Sequence, residues 1–217
     1  MKKSYLAALA VAATAMFSAS AQAGVYTVDD FNQGDQFINQ NGSDTNAYRT
    51  LTTTLVSSVP PVQSTAEVSF NTLTVTNGSG ESSRVTTMWD IAAGSIANGA
   101  SDLQFLFKII ESDANPTRAQ FFLDGVLIGS DNIPGNTMNQ DYGVNIDSLL
   151  WDDSKAHRLE LVLTGAAGWD LQLDALGLSY TDPVAPNTVP EPGSLALLSL
   201  GLLGAGAARR RLNRNSK

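Results

Sequence analysis

Alternation with a period of two dominates the middle of the chain. Val85, Thr87, Trp89 and Ile91 share one parity, as do Leu103, Phe105, Phe107 and Ile109, and again Leu159, Leu161 and Leu163. Each set gathers large side chains on one face of a strand and leaves Gln104, Lys108, Arg158 and Glu160 to face water. Helical periodicity and internal repeats are missing. Turn clusters punctuate the alternation: Asn77-Gly78-Ser79-Gly80, Asn98-Gly99, Asp113 to Pro116, Asp131 to Pro134 and Gly165 to Gly168. Asp124-Gly125, set between RAQFFL and VLIG, suits a two-residue type I′ hairpin turn. Strands are predicted near 25 to 31, 46 to 56, 66 to 76, 84 to 91, 102 to 110, 117 to 123, 126 to 130, 142 to 147, 157 to 164 and 169 to 180. Short strands at this spacing predict an all-β fold, a two-sheet antiparallel jelly-roll sandwich over residues 24–181. About 158 residues suffice to bury roughly two thirds of the unfolded surface.

The two ends break the pattern. Lys2 and Lys3 precede an apolar run from Leu6 to Phe17 and the small residues Ala21-Gln22-Ala23. This is the layout of a secretory signal peptide over 1–23, with the mature start near Gly24; a buried amphipathic helix would need a polar face, which the run lacks. At the other end, residues 182–189 open a proline-rich stretch in which Pro183, Pro186, Pro190 and Pro192 are four of the chain's eight prolines, the composition of a stiff linker. An apolar segment, residues 195–208, follows, and then Arg209-Arg210-Arg211. Fourteen helical residues span about 21 Å against a hydrocarbon core of about 30 Å, so the segment is short for a permanent anchor and fits a transient inner-membrane intermediate with its basic tail in the cytoplasm. A plain C-terminal membrane anchor without processing is the alternative.

Val189-Pro190-Glu191-Pro192, followed by an apolar segment and by Arg209, Arg210 and Arg211 at the extreme C-terminus, resembles the PEP-CTERM sorting signal of Gram-negative bacteria, here assigned to 190–217. The resemblance implies recognition of the Pro-Glu-Pro element by an exosortase, a membrane cysteine transpeptidase. Cleavage there would send the body to the outer surface or the extracellular matrix of an organism that makes exopolysaccharide and biofilm. It implies nothing about the preceding fold. From Asp102 onward the order of features, LQFLFK, FFLDGVLIG, HRLELVL and DLQLDALGLSY, is similar to that of galactose-binding-like and other carbohydrate-binding jelly rolls. That second likeness is one of pattern, and fold analogy alone supplies no function.

Charge sharpens the division into ends and body. The formal net charge is −8, from 13 Lys and Arg against 21 Asp and Glu. Seven bases (Lys2, Lys3, Arg209, Arg210, Arg211, Arg214 and Lys217) and one acid (Glu191) lie in the ends, so residues 24–189 hold six bases and twenty acids, a net of −14. A body so acidic repels a phosphate backbone, and no nucleic-acid partner is expected. Cysteine is absent and His157 is the single histidine, which excludes a disulfide framework, thiol catalysis and a His-rich zinc centre.

Candidate chemistry in the body is sparse. Flat aromatic faces stack on sugar rings, but parity puts Trp89 and Trp169 in the core. Trp151, with Asp152 and Asp153, sits at a strand-to-loop edge and is the candidate carbohydrate-binding group; its alternative is a hydrophobic plug under the loop. Asp174 lies where the closing strand changes phase, from Leu171 and Leu173 to Leu176 and Leu178, the mark of a β-bulge that re-aims a carboxylate. By resemblance to jelly rolls that hold calcium between their first and last strands, Asp174 with Asp29 and Asp30 forms a candidate structural Ca2+ set; the alternative is three solvated edge acids. Glu67, Glu81, Glu111 and Glu160 are too scattered to suggest a glycosidase pair. His157 reads as a surface strand residue, and with no G-x-S-x-G it builds no triad. A single threonine row, Thr72, Thr74 and Thr76, lacks the repeat that an ice-binding array needs.

The sequence therefore predicts an exported, exosortase-sorted protein with a noncatalytic sandwich that binds exopolysaccharide. A purely structural matrix component and a secreted polysaccharide-active enzyme are the alternatives.

Overall fold

Thirteen strands joined by turns and loops, with no α-helix among the described residues, make up residues 23–96, 98–147 and 150–183, the part of the chain that the computed structural model describes. In chain order they are β1 (Ala23–Asp29), β2 (Gln36–Asn39), β3 (Gly42–Thr45), β4 (Thr50–Ser57), β5 (Thr65–Ser69), β6 (Thr72–Thr76), β7 (Ser82–Ile91), β8 (Ser101–Ser112), β9 (Thr117–Leu123), β10 (Val126–Ile133), β11 (Met138–Asn145), β12 (His157–Gly165) and β13 (Leu171–Thr181). The signal segment, the proline-rich linker beyond Pro183 and the C-terminal apolar segment lie outside the described residues, as do the helices expected for them.

Two antiparallel sheets form the jelly-roll sandwich. The first runs β11-β8-β13-β6-β5-β2, with β1 also on β13, and the second runs β10-β9-β12-β7-β4-β3. Alternation decides which side chains meet between them. Leu51, Val85, Trp89, Phe121, Leu159, Leu161 and Leu163 from the second sheet face Val68, Val75, Phe105, Phe107, Ile109, Leu173 and Leu178 from the first, all buried in one cluster. Rings join the two layers: Phe105 stacks on Phe121 at 5.5 Å between centroids, and Phe107 lies 5.1 Å from the same ring.

The closing strand contains the expected bulge. Leu173 pairs with Ile109 and Leu176 with Phe107, so Asp174 and Ala175 together oppose Lys108. It is also where β13 changes neighbour, since Leu171 to Leu173 pair with β6 while Leu176 to Thr181 pair with β1. Ala23 pairs with Thr181, so the strand begins beside the predicted cleavage point and both chain ends leave the sandwich together. Asp124 and Gly125 have φ of 50° and 81°, the two positive angles of a type I′ turn.

Several expectations are corrected. The strand expected over 66 to 76 is a hairpin, because Phe70 and Asn71 take φ of 49° and 65° and reverse the chain between β5 and β6. Two strands, β2 and β3, were not expected at all; each has only four residues, too few for a periodic signal. The strand expected at 142 to 147 lies earlier, at Met138–Asn145.

Candidate functional site

Register places every outward residue of the second sheet. One row across the strands reads Asn132 (β10), Arg118 (β9), Thr164 (β12), Arg84 (β7) and Thr54 (β4). Two residues along lies Ser130, Gln120, Val162, Thr86, Thr52 and Ser43, and two further Leu127, Phe122, Glu160, Met88, Thr50 and Thr45. Hydroxyls and amides predominate, with Phe122 and Met88 half-buried among them and Val162 fully buried beneath its neighbours. Ser43 and Thr52 hydroxyls are 3.0 Å apart and those of Thr45 and Thr50 3.1 Å apart, which orders the edge.

Depressions flank this face. One of about 210 Å³ is lined by Tyr48, Thr50, Met88, Asp90 and Arg158 among others. Tyr48 is half exposed, and its ring lies so close to Gly34 that a Cβ there would come within 2.7 Å of it; Gly34 also has a φ of 67°. The Arg158 Nε donates to Asp90 at 3.0 Å on the same rim. At the opposite end, six residues or roughly 20 Å along β7, a depression of about 500 Å³ is lined by Arg118, Asn132, Thr164 and the residues beside them. Arg84 and Arg118 were not legible in the sequence, because they share a face only through the pairing register, and Tyr48 reaches the rim from the loop before β4.

The residues singled out from the sequence have other employments. Trp151 is partly buried and packs its ring 4.6 Å from that of His157, at 28°. One aromatic face is thus occupied, and its Nε1 is buried without a partner. Asp152 accepts from the Ser154 N–H and hydroxyl at 3.1 and 2.6 Å; these bonds hold its carboxyl below the ordinary aspartate range. The Asp153 carbonyl accepts from Gly94 N–H. These three residues form a turn over His157, which is itself a correction: it is buried, with Nδ1 2.8 Å from Asp124 Oδ2 and Nε2 2.8 Å from the Asp152 carbonyl. His157 ties the β9–β10 turn to the start of β12, and the Asp124 carboxylate also accepts from Arg158 N–H at 2.8 Å.

The three acids proposed for calcium do not fit the ion. Asp29 is buried, with one carboxylate oxygen taking Arg49 Nη2 and Phe31 N–H, each at 2.8 Å, and the other taking Arg49 Nε and Trp89 Nε1–H. Asp30 holds the Asn32 amide at 2.6 Å. The bulge turns Asp174 toward Lys108, 3.7 Å away. Oxygens already committed to cations and N–H donors are poor ligands for Ca2+, which needs six to eight of them. Among the described residues no group of three or more His, Cys, Asp or Glu is arranged to hold a metal.

A second acidic place lies at one end of the sandwich, in a depression of about 280 Å³ where Glu111, Asp113 and Asp170 meet. Burial raises the Asp170 carboxyl above the ordinary aspartate range, against the pull of Asn77 N–H at 2.6 Å and with added repulsion from Asp113. Asp113 uses both oxygens on Asn115, at 3.0 and 2.8 Å. Asp170 thus ties its loop to the one at Asn77, while Asp113 orders its own turn.

Solved structures of similar arrangement include several carbohydrate-binding modules. The CBM36-1 domain of a multidomain xylanase from the hindgut metagenome of Trinervitermes trinervoides is 15% identical, with 67% of this chain and 96% of that one covered, at a TM-score of 0.34. A CBM36 module in complex with calcium and xylotriose is 14% identical, covering 67% and 98%, at 0.33. The family 11 module from Clostridium thermocellum with a β-1,3-1,4-mixed-linked tetrasaccharide is 14% identical, covering 71% and 95%, at 0.38. Similarity this low gives no residue of this chain a role. Among curated proteins none matches the sequence. Residues 188–211 match the PEP-CTERM protein-sorting motif, and the chain carries that sorting signal behind its β-sandwich.

Proposed function

We propose that this chain is exported under its N-terminal signal, held briefly in the inner membrane by residues 195–208, and cut by an exosortase near Pro190-Glu191-Pro192. The sandwich then works on the outer surface or in the extracellular matrix of a Gram-negative bacterium. There it binds exopolysaccharide without catalysis, along the outward face of the second sheet. The observation that carries the export half is the sorting motif at residues 188–211. The binding half is supported by a face of hydroxyls and amides on which no other described strand packs, beside the half-exposed ring of Tyr48, a pairing of polar donors with an aromatic surface that suits sugars. The noncatalytic reading is supported by the structural employment of two acids at the sandwich end: Asp170 accepts from Asn77 N–H, and Asp113 holds Asn115 in its own turn.

A pull-down of the full chain on the producing cell's exopolysaccharide tests the binding half. Retention is expected, falling about tenfold, or roughly 1.4 kcal/mol, in Tyr48→Ala; absence of retention on every glycan tried would reject it.

A further inference from the structure

The six bases of the acidic body are not distributed evenly. Arg49 is buried against Asp29, Lys108 faces Asp174, and Arg158 pairs with Asp90. Lys155 lies in the field of Asp124 and Asp152, whose carboxyls it helps to hold down. Arg84 and Arg118 remain. Both are exposed, and among the described residues neither has a carboxylate partner.

These two arginines share one row. Arg84 pairs with Thr164, and Thr164 with Arg118, so one strand separates them, an interval of two strand spacings or roughly 10 Å. All three side chains point outward. Neither their row nor the next contains an acid; Glu160, the nearest on β12, is four residues from Thr164, about 13 Å along the strand. Beside Arg118 and Thr164 lies the depression of about 500 Å³, whose wall includes Thr117. Two free guanidinium groups with a hydroxyl between them therefore share a row that holds no carboxylate.

We infer that Arg84 and Arg118 clamp the carboxylate of a uronic acid residue in a polysaccharide laid across the second sheet. The inference rests on the glycan-binding reading above and names its ligand class. Guanidinium groups present planar forks that match carboxylate oxygens, two parallel bonds at a time. The remainder of the two rows is neutral, from Thr54, Thr52 and Thr86 to Gln120, Ser130 and Asn132, and matches sugar hydroxyls rather than further charge. A densely charged polyanion meets only two free cations here and is repelled by a body of net −14. A glycan with no more than one carboxylate on each sugar gains the clamp against less repulsion than a sulfated chain with several charges per repeat.

The test uses the full chain, with polygalacturonate, its fully methyl-esterified form, heparin and neutral xylan as probes in affinity electrophoresis. Polygalacturonate is expected to bind more tightly than its ester, with the advantage shrinking as salt rises. Arg84→Gln with Arg118→Gln should weaken polygalacturonate binding by about tenfold or more, with an unchanged melting temperature. Lys108→Gln, which removes one positive charge from the other sheet, should leave binding unchanged. Equal binding of polygalacturonate and its ester, unaffected by the double arginine variant, would overturn the inference and leave the glycan-binding reading standing. Heparin bound as tightly as polygalacturonate would overturn the carboxylate assignment. No binding to any of the four would overturn both.

Discussion

Asp29 and Arg49 form a buried, two-pronged ion pair that joins the two sheets. Asp29 ends β1 in the first sheet, and Arg49 enters β4 in the second; their side chains are 6% and 1% exposed. Trp89 of β7 donates its indole N–H to the same carboxylate at 2.6 Å, and Arg49 also reaches the carbonyls of Gly34 and Gln33 at 2.9 Å each. The guanidinium lies 5.4 Å from the centre of the Phe31 ring. In a sandwich without cysteine, this is a polar staple between layers. Removing either partner leaves a buried charge unpaired, so Asp29→Asn or Arg49→Met should each cost about 3–5 kcal/mol, read by urea unfolding. The double variant Asp29→Asn with Arg49→Met should cost less than the sum of its singles by about 1–3 kcal/mol. Strict additivity would show that the two side chains act separately.

The same pair decides the response to calcium. Asp29 has given both oxygens to Arg49, Trp89 and Phe31 N–H, and Asp174 faces Lys108. Thermal melts of the full chain in calcium and in chelator should therefore superimpose. A site held at a hundred times its dissociation constant would add about 2.7 kcal/mol, a shift of several degrees. Curves that separate, and rejoin in Asp174→Asn, would restore the ion.

Two carboxyls give opposite pH dependences. Glu81 is buried, which by itself raises its pKa, yet the N–H groups of Gln63 and Gly78 and the Ser64 hydroxyl hold it below the ordinary glutamate value. Its stabilisation is complete above the ordinary value and is lost as pH falls through the depressed one. Asp170 is raised, so its charged form destabilises the fold, and that penalty grows as pH climbs from the ordinary aspartate value, about 3.9, through the raised one. Asp170→Asn should thus raise the melting temperature at pH 7, with the gain fading near pH 3. Glu81→Gln should lower it at pH 7, and by less in acid. Glycan retention should be unchanged in Asp170→Asn.

Local chemistry made much of the fold legible. Leu103 to Ile109 and Leu159 to Leu163 alternate cleanly, and β8 and β12 follow. The phase change at Asp174 marks the bulge because an extra residue must shift every side chain after it. Phe70 hid the β5–β6 hairpin, since an aromatic is the wrong residue for a positive φ and sits there 94% exposed. His157 was misplaced for a different reason. Its partner Asp124 lies in another hairpin, and only folding brings the two within 2.8 Å. The candidate face was illegible on the same ground: Arg84 and Arg118 become neighbours through β12, which follows both in the chain.

Sorting is the claim on which the functional account stands, and intact-mass spectrometry of the protein recovered from the cell surface and the medium tests it most directly. The account predicts a mature chain that starts near Gly24 and ends near Pro190 to Pro192. A chain that still ends at Lys217 in both fractions would contradict it.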